Sequence, residues 1–541
     1  MNGFQDPNEP ASTQVIFSSE ARKQLYEGLK VAAEAVGCTL GPKGKTVLIQ
    51  RPGESPLVTK DGVTVSKAIR LKNQVQRMGA ELIREAAART NEVAGDGTTT
   101  ATILTHALVQ EGIKLLEAGY SSQLLCRGID KAVQHLLDQL KQDAKQLTTD
   151  EEVAQVGTIS ANGDANIGDL IAQAMKKVGR DGIITVEDAK GMATTLEVVE
   201  GMQFDRGYLS PYFVTNPERM LASYGDALVL VTDKKLNSLR DLIPVLEQVV
   251  QAQRPLLIIA EDVEGEALQG LVLNRVKSNL PVVCIKAPGY GSHRDELLRD
   301  ICVLTGATLV SSATGADLKS AAGCLGQCKK IVVDAKTSTL VGTGATKDQV
   351  EKHVADLRAQ LEDVTLGQED IVKLKTRVAK LASGVAVVKV GGATEVEMNE
   401  RKYRIEDALN ATRAAADEGI VPGGGMALFN AVQGVKGELC KPGMDRDEVA
   451  GVEVVVDACL APLKKIVANA GQNSGVVIDN LHRQSGVGYN AATGKYEDLI
   501  AAGIIDPVKV TRSALQHAAS VATTFLSLDA VVCDEEKKDN G

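Results

Sequence analysis

Apolar residues recur at helical spacing through residues 18–40, "SSEARKQLYEGLKVAAEAVGCTL", and predict an amphipathic helix that runs into Gly41-Pro42-Lys43-Gly44 and then a strand. Residues 57–66, "LVTKDGVTVS", place β-prone side chains around a Lys-Asp-Gly turn, and residues 77–142 read as mostly helical. From about 200 to 385 the pattern changes. Apolar strands such as "ALVLVTD" (227–233), "PLLIIAED" (255–262) and "PVVCIKAPG" (281–289) alternate with amphipathic helices, as in an α/β domain. From about 418 onward the chain is helical again, so the strand-rich block reads as an insert in a helical domain. Residues 143–199 and 386–417, with glycine-bearing stretches such as "GTISANGD" and "KVGGATE", are then the paired crossings between the two, and paired crossings make natural hinges.

The expected class is therefore multidomain α+β. A chain of 541 residues exceeds one typical core and predicts two to four domains. With 44% hydrophobic and 24% charged residues the composition is that of a soluble globular protein, and no apolar run approaches bilayer length. Aromatic content of 3% without tryptophan argues against base stacking, and a net charge of −10 argues against a nucleic-acid or anionic-membrane partner. The N-terminal "MNGFQDPNEPASTQ" carries no targeting pattern, which predicts a cytoplasmic protein. Nine scattered cysteines read as free thiols in a reducing compartment. Cys324-Leu-Gly-Gln-Cys328 is half a zinc pattern with no second pair to complete it. The closing "CDEEKKDNG" is a solvated charged tail.

The chemistry concentrates in Gly95-Asp96-Gly97-Thr98-Thr99-Thr100, where a carboxylate between two glycines opens a helix expected over Ala101 to about Leu116. Threonine is a mediocre helix former, so three in succession ask for a reason. One reading is a phosphate at a helix N-terminus, with Asp96 holding Mg2+ so that the carboxylate and the phosphate share a cation. The other is a capping aspartate with hydroxyls bonded back to the preceding turn. Two further loops, Thr39–Gly44 and Lys60-Asp61-Gly62, favour the phosphate. Standard nucleotide signatures fail. "GPKGKT" would need glycine where Thr39 stands, and "PGGGMAL" (422–428) lacks both the last fingerprint glycine and a surrounding βαβ unit.

Taken together, Thr39–Gly44, Thr59–Gly62, Gly95–Thr100, "RIEDAL" (404–409), Gly423–Gly425 and Tyr489-Asn490-Ala491-Ala492 closely resemble the group I, GroEL-type chaperonins, over residues 16 to 530. The resemblance implies an equatorial ATP-binding domain (1–142 and 418–541), an intermediate hinge domain (143–199 and 386–417) and an apical client- and lid-binding domain (200–385). It implies an ATPase of seven-membered rings, usually two stacked, that encloses non-native polypeptides under a GroES-type co-chaperonin. Thr39, Leu40, Gly41 and Pro42 with Asp96, Gly97, Thr98, Thr99 and Thr100 would cradle the phosphates, and Asp96 would bind Mg2+. Thr39, Lys60 and Thr99 would lie near a K+ ion. Gly424, Asn490, Ala491, Ala492 and Asp506 match the adenine and ribose site. Asp407 matches the acid that polarises the attacking water, and Asp61 matches a second acid near the γ-phosphate. Tyr208, Tyr212, Phe213, Ile243, Leu246, Leu268, Val272 and Leu273 match the exposed apical groove, whereas their spacing alone reads as core. Two departures stand out: the Gly-Gly-Met tail is replaced by "CDEEKKDNG", and Asn473 replaces the acid that would pair with Lys464 between rings. A scaffold protein with a disabled ATPase and an unrelated NTP-dependent enzyme are the rival readings. The first would have lost Asp61, Asp96 or Asp407, and the second would need a small-molecule site that the residues do not supply.

Overall fold

Aliphatic residues at helical spacing, broken by caps at defined points, build the helices Ser18–Gly37, Gln74–Ala94, Thr98–Glu117, Ser122–Gln142, Arg446–Cys459 and Val508–Ser527. Their inner faces share one core in which Leu25, Leu29, Ile83, Leu104, Leu108, Leu125 and Phe525 are fully buried. Each such side chain contributes about 1.5–3 kcal/mol on leaving water. Glycine sets the closest crossing: a Cβ on Gly28 would stand 1.8 Å from the Gln76 carbonyl oxygen, so the first two helices meet backbone to backbone. The strands Thr13–Phe17 and Ala530–Asp534 pair antiparallel and bring the two ends of the described chain together.

This is a computed structural model, and it describes residues 13–534 except 51–55, 162, 180–181, 190, 200, 218–219, 312–317, 345–346, 362–367, 383 and 485. The charged tail beyond Asp534 lies outside the described residues. The chain divides into two units, Met1–Ala172 with Thr394–Gly541, and Gln173–Ala393. Of the segments read as hinges, 143–172 and 394–417 fall in the first unit, while 173–199 and 386–393 fall in the second. No helix among the described residues is long and apolar enough to cross a membrane. The nine cysteines are free, and burial pushes the Cys459 thiol up to about 12.

The second unit is built on a six-stranded sheet in the order Val282–Lys286, Leu256–Ala260, Ala222–Val231, Gly326–Val333, Ser338–Thr343, Gly201–Phe204. The first three strands are parallel and the others antiparallel. Leu256–Ala260 is buried at every residue, as a covered parallel strand must be. A three-stranded sheet puts Val385–Val390 between Ile183–Asp188 and Thr195–Val199. The buried carboxylate of Asp300 is held by Arg377 through two hydrogen bonds of 2.7 Å and by His353 at 2.7 Å, the pairing that a charge in a core requires.

Two local expectations change. The β-prone residues after the Lys-Asp-Gly turn are helical, Gly62–Ala68, because the Asp61 side chain accepts from the amides of Val63 and Thr64 and nucleates a helix there. Phe213, expected in an exposed groove, is fully buried. Ser210 caps the short 3-10 turn Pro211–Phe213, which turns Tyr212 out (67% exposed) and Phe213 into the core. Asn473 also gains a local explanation: its side chain accepts from the Gly475 amide at 2.9 Å and caps the helix Ser474–Arg483.

Candidate functional site

The helix Gln74–Ala94 ends on Gly95 and the helix Thr98–Glu117 begins after Gly97, both glycines in the left-handed region (φ 71° and 82°). Only glycine takes two such turns around one residue at little cost, and the result is a tight bend that carries Asp96 at its apex. Gly97 gives the second helix no side-chain cap, so its first-turn amides remain available to an anion. Thr102 and Thr105 bond back to the carbonyls of Thr98 and Ala101, the bland use of a helical threonine. The hydroxyls of Thr98 and Thr99 instead line the approach to the Asp61 loop: a Cβ on Gly62 would stand 2.4 Å from Thr99 Oγ1.

Around this bend four other segments converge, all in the first unit. Asp61 lies close enough for its charge to act on Asp96, while Lys60 beside it is exposed. Asp506 sits on the strand Ile505–Pro507, paired antiparallel with Ile420–Pro422, and its Oδ1 is 3.0 Å from where a Gly423 Cβ would be. Gly424 (φ 65°) opens onto space, since the nearest atom to its missing Cβ is Leu499 Cδ1 at 3.8 Å. The hairpin Gly488–Asn490 and Lys495–Glu497 packs on this glycine turn through Tyr489, Leu499 and Met426. In it Asn490 accepts from the Ala492 amide at 3.0 Å and donates to Glu497 at 2.7 Å, with Ala491 buried and Ala492 exposed. The Thr39–Pro42 loop follows the first helix. Thr39 is buried and spends its hydroxyl on the Val36 carbonyl at 2.8 Å, while Leu40 and Gly41 are half-buried and Pro42 exposed.

Asp407 stands half-buried on the helix Glu395–Glu418. One turn further along that helix, about 4.5 Å of rise, Asn410 lies directly against the bend: a Cβ on Gly95 would be 2.4 Å from Asn410 Cβ. This contact ties the Asp407 helix to the Asp96 loop. Sequence reasoning did not single out Asn410, nor Ser160, whose hydroxyl donates to Asp96 Oδ2 at 2.9 Å. It also passed over Asn469, whose amide donates to the carbonyls of Gly37 and Leu40 and holds the Thr39 loop in shape. Ser160 lies inside "GTISANGD", the glycine-bearing stretch read as a hinge. Asn410 and Asn469 carry no local sequence signal.

The electrostatics fit a cation. Burial raises the Asp96 carboxyl above the ordinary aspartate range, and the charge of Asp61 adds to the shift. Burial and the charge of Asp96 push Asp506 up to about 7. Both residues keep partial exposure through which a ligand could reach them, while dense surroundings desolvate their charges. Carboxylates held this close, with hard oxygen donors and too few neighbours for a closed cage among the described residues, suit Mg2+, which takes one or two carboxylates and completes its shell with phosphate and water.

The sign of the pH effect follows. Because the folded-state pKa of Asp506 is raised, the cation-free native protein holds a proton that the unfolded chain releases, from the ordinary aspartate range up to about 7. Native stability therefore falls as pH rises through that window. In EDTA, Asp506→Asn is expected to melt higher than wild type above neutrality and to match it at acid pH; equal melting differences at both ends would contradict this assignment.

The acids Asp96 and Asp506, with the glycine turn and the Asn hairpin packed beside the latter, lie in a helical unit into whose chain an α/β unit is inserted. The family model described as the TCP-1/cpn60 chaperonin family matches residues 32–536. The chain belongs to that family, as a chaperonin of the GroEL/Cpn60 type. Among solved structures it resembles the chaperonin gp146 from bacteriophage EL 2 (Pseudomonas aeruginosa), determined in the presence of ATP-BeFx, with a TM-score of 0.67 at 23% identity, covering 96% of this chain and 99% of that one. A second crystal form of the same protein gives a TM-score of 0.63 at 23% identity with the same coverage. At that identity the likeness is one of fold. Family membership makes this chain an ATP-dependent chaperone.

Proposed function

We propose that this chain forms chaperonin rings that bind Mg-ATP in the first unit, capture non-native polypeptides on the second, and enclose them under a GroES-type lid for folding. The observation that carries the reading is the convergence of the Asp61 turn, Asp506 and the Asn410 face of the Asp407 helix on the Asp96 bend.

The uncapped amides after Gly97, with Thr98, Thr99 and Thr100 and the Thr39–Pro42 backbone, bind phosphate oxygens. Asp96 holds Mg2+, with Asp506 reaching the ribose side beside Gly424 and Asn490. When bound, Mg2+ supplies charge neutralisation for the phosphates. Asp407 orients and polarises the attacking water, and Asp61, fixed as a helix cap, presents a second carboxylate near the γ-phosphate. Lys60, exposed, and Thr99 flank a K+ position. Thr39 would contribute an oxygen to it, its hydroxyl proton being given to the Val36 carbonyl.

On the second unit Tyr212, Ile243 and Leu273 are exposed, while Tyr208, Leu246, Leu268 and Val272 are half-buried against the core; together they would make the apolar patch. Pro244 falls in the first turn of the helix Ile243–Ala252, where proline is tolerated. Clients and the mobile segment of a lid compete for this patch. Rings are heptameric and cytoplasmic, either stacked in pairs, as is usual, or single. Asn473, committed to its helix cap, offers Lys464 no charge partner, which weakens the stacking by no more than about 1 kcal/mol per exposed pair.

The decisive test is recovery of a denatured client enzyme with MgATP, with and without a group I lid protein. Lid-dependent recovery well above the spontaneous yield is expected. ATP hydrolysis with no gain in recovery would sink the folding-chamber reading.

A further inference from the structure

We infer that Ser160, through its hydrogen bond to Oδ2, sets the orientation in which Asp96 takes a divalent cation. The inference rests on the nucleotide reading above and adds to it a residue that the motifs do not contain.

Two hydrogen bonds anchor the Asp96 carboxylate. One is local: the Gly97 amide donates to Oδ1 from within the same bend. The other comes from Ser160, 64 residues away, at 2.9 Å. The terminal torsion of an aspartate is broad, and a single bond from the adjacent residue constrains it weakly. A second donor from a separate helix fixes the plane of the carboxylate.

The helix that carries Ser160, Asp150–Ser160, is itself held at its far end. Thr149 and Glu152 form a capping box, and Lys145 pairs with Glu152 at 2.8 Å. The Lys145 backbone exchanges hydrogen bonds with Ile420, at the start of the strand that pairs with Asp506. Gln155 packs against Gly503, close ahead of the Asp506 strand. The hydroxyl thus reaches Asp96 from a support anchored to the same strand pair that carries Asp506. Outer partners that orient a metal-binding carboxylate typically change metal affinity 10–100-fold when removed.

The test is ADP binding to the full-length protein by calorimetry over a range of Mg2+ concentrations, with an EDTA arm. Ser160→Ala is expected to raise the Mg2+ concentration for half-maximal tightening of ADP about 10–100-fold, to leave ADP affinity in EDTA unchanged, and to be restored by Ser160→Thr. An unchanged Mg2+ requirement in Ser160→Ala overturns this role alone. An equal loss with and without Mg2+ also overturns it, since that is the mark of a general structural defect. If the wild-type chain binds no ADP at any Mg2+ concentration, the nucleotide reading falls and takes this role with it.

Discussion

Asp407→Ala is expected to bind Mg-ATP with near wild-type affinity and to hydrolyse it slower by about 10²–10⁴-fold, the range for losing a positioned general base. The expectation comes from where the acid stands. Its helix touches the Asp96 bend through Asn410, one turn away, so removing the carboxylate leaves that contact in place. Binding and turnover should therefore separate, with KM little changed and kcat falling. Asp407→Asn keeps the shape and removes the charge, and should behave the same way. Single-turnover hydrolysis beside equilibrium nucleotide binding is the measurement. Near-normal turnover in either variant would remove Asp407 from the chemistry.

The second large effect is expected on the other unit. Ile243→Glu and Leu273→Glu each place a charge on a side chain that is about half exposed, 45% and 52% respectively. Surface changes of this kind usually alter stability by no more than about 0.5 kcal/mol. A carboxylate in an apolar contact must be desolvated to bind, so capture of an unfolded client should weaken tenfold or more, roughly the loss of one interface hot spot. The ATPase should be spared. Leu246→Glu is a poorer probe, because Leu246 packs partly into the core and its loss mixes binding with folding. Unchanged aggregation suppression by both exposed-site variants would return the stripe to a structural role.

Much of the architecture was legible because it is periodic. The helical ends and the alternating insert follow from apolar spacing, and the pure aliphatic run at 256–260 could belong only to a covered strand or helix segment. What failed was local competition between propensity and capping. Val63, Thr64 and Val65 are β-prone, yet one carboxylate, Asp61, with its acceptor oxygens aimed at the next two amides, turns them into a helix. For Phe213 the apolar spacing points to the core and the resemblance to an exposed groove; the Ser210-capped turn sends it into the core, as the spacing alone reads. The threonines in and just beyond the run divide into two groups. Thr102 and Thr105 satisfy the helix itself, while Thr98 and Thr99 face the Asp61 loop. At the site, motifs named the residues that would touch a ligand. Ser160, Asn410 and Asn469 act on those residues from distant helices, and tertiary contact alone brings them there.

The close approach of Asn410 to Gly95 also limits how this chain can diverge. Any side chain at position 95 would start 2.4 Å from Asn410 Cβ, so a mutation there pushes on the helix that carries Asp407. Relief would require a glycine at 410, which weakens that helix, or a displaced helix, which withdraws the acid. A side chain at 95 is therefore expected to slow hydrolysis even with Asp61, Asp96 and Asp407 all in place, and turnover by Gly95→Ala is the measurement.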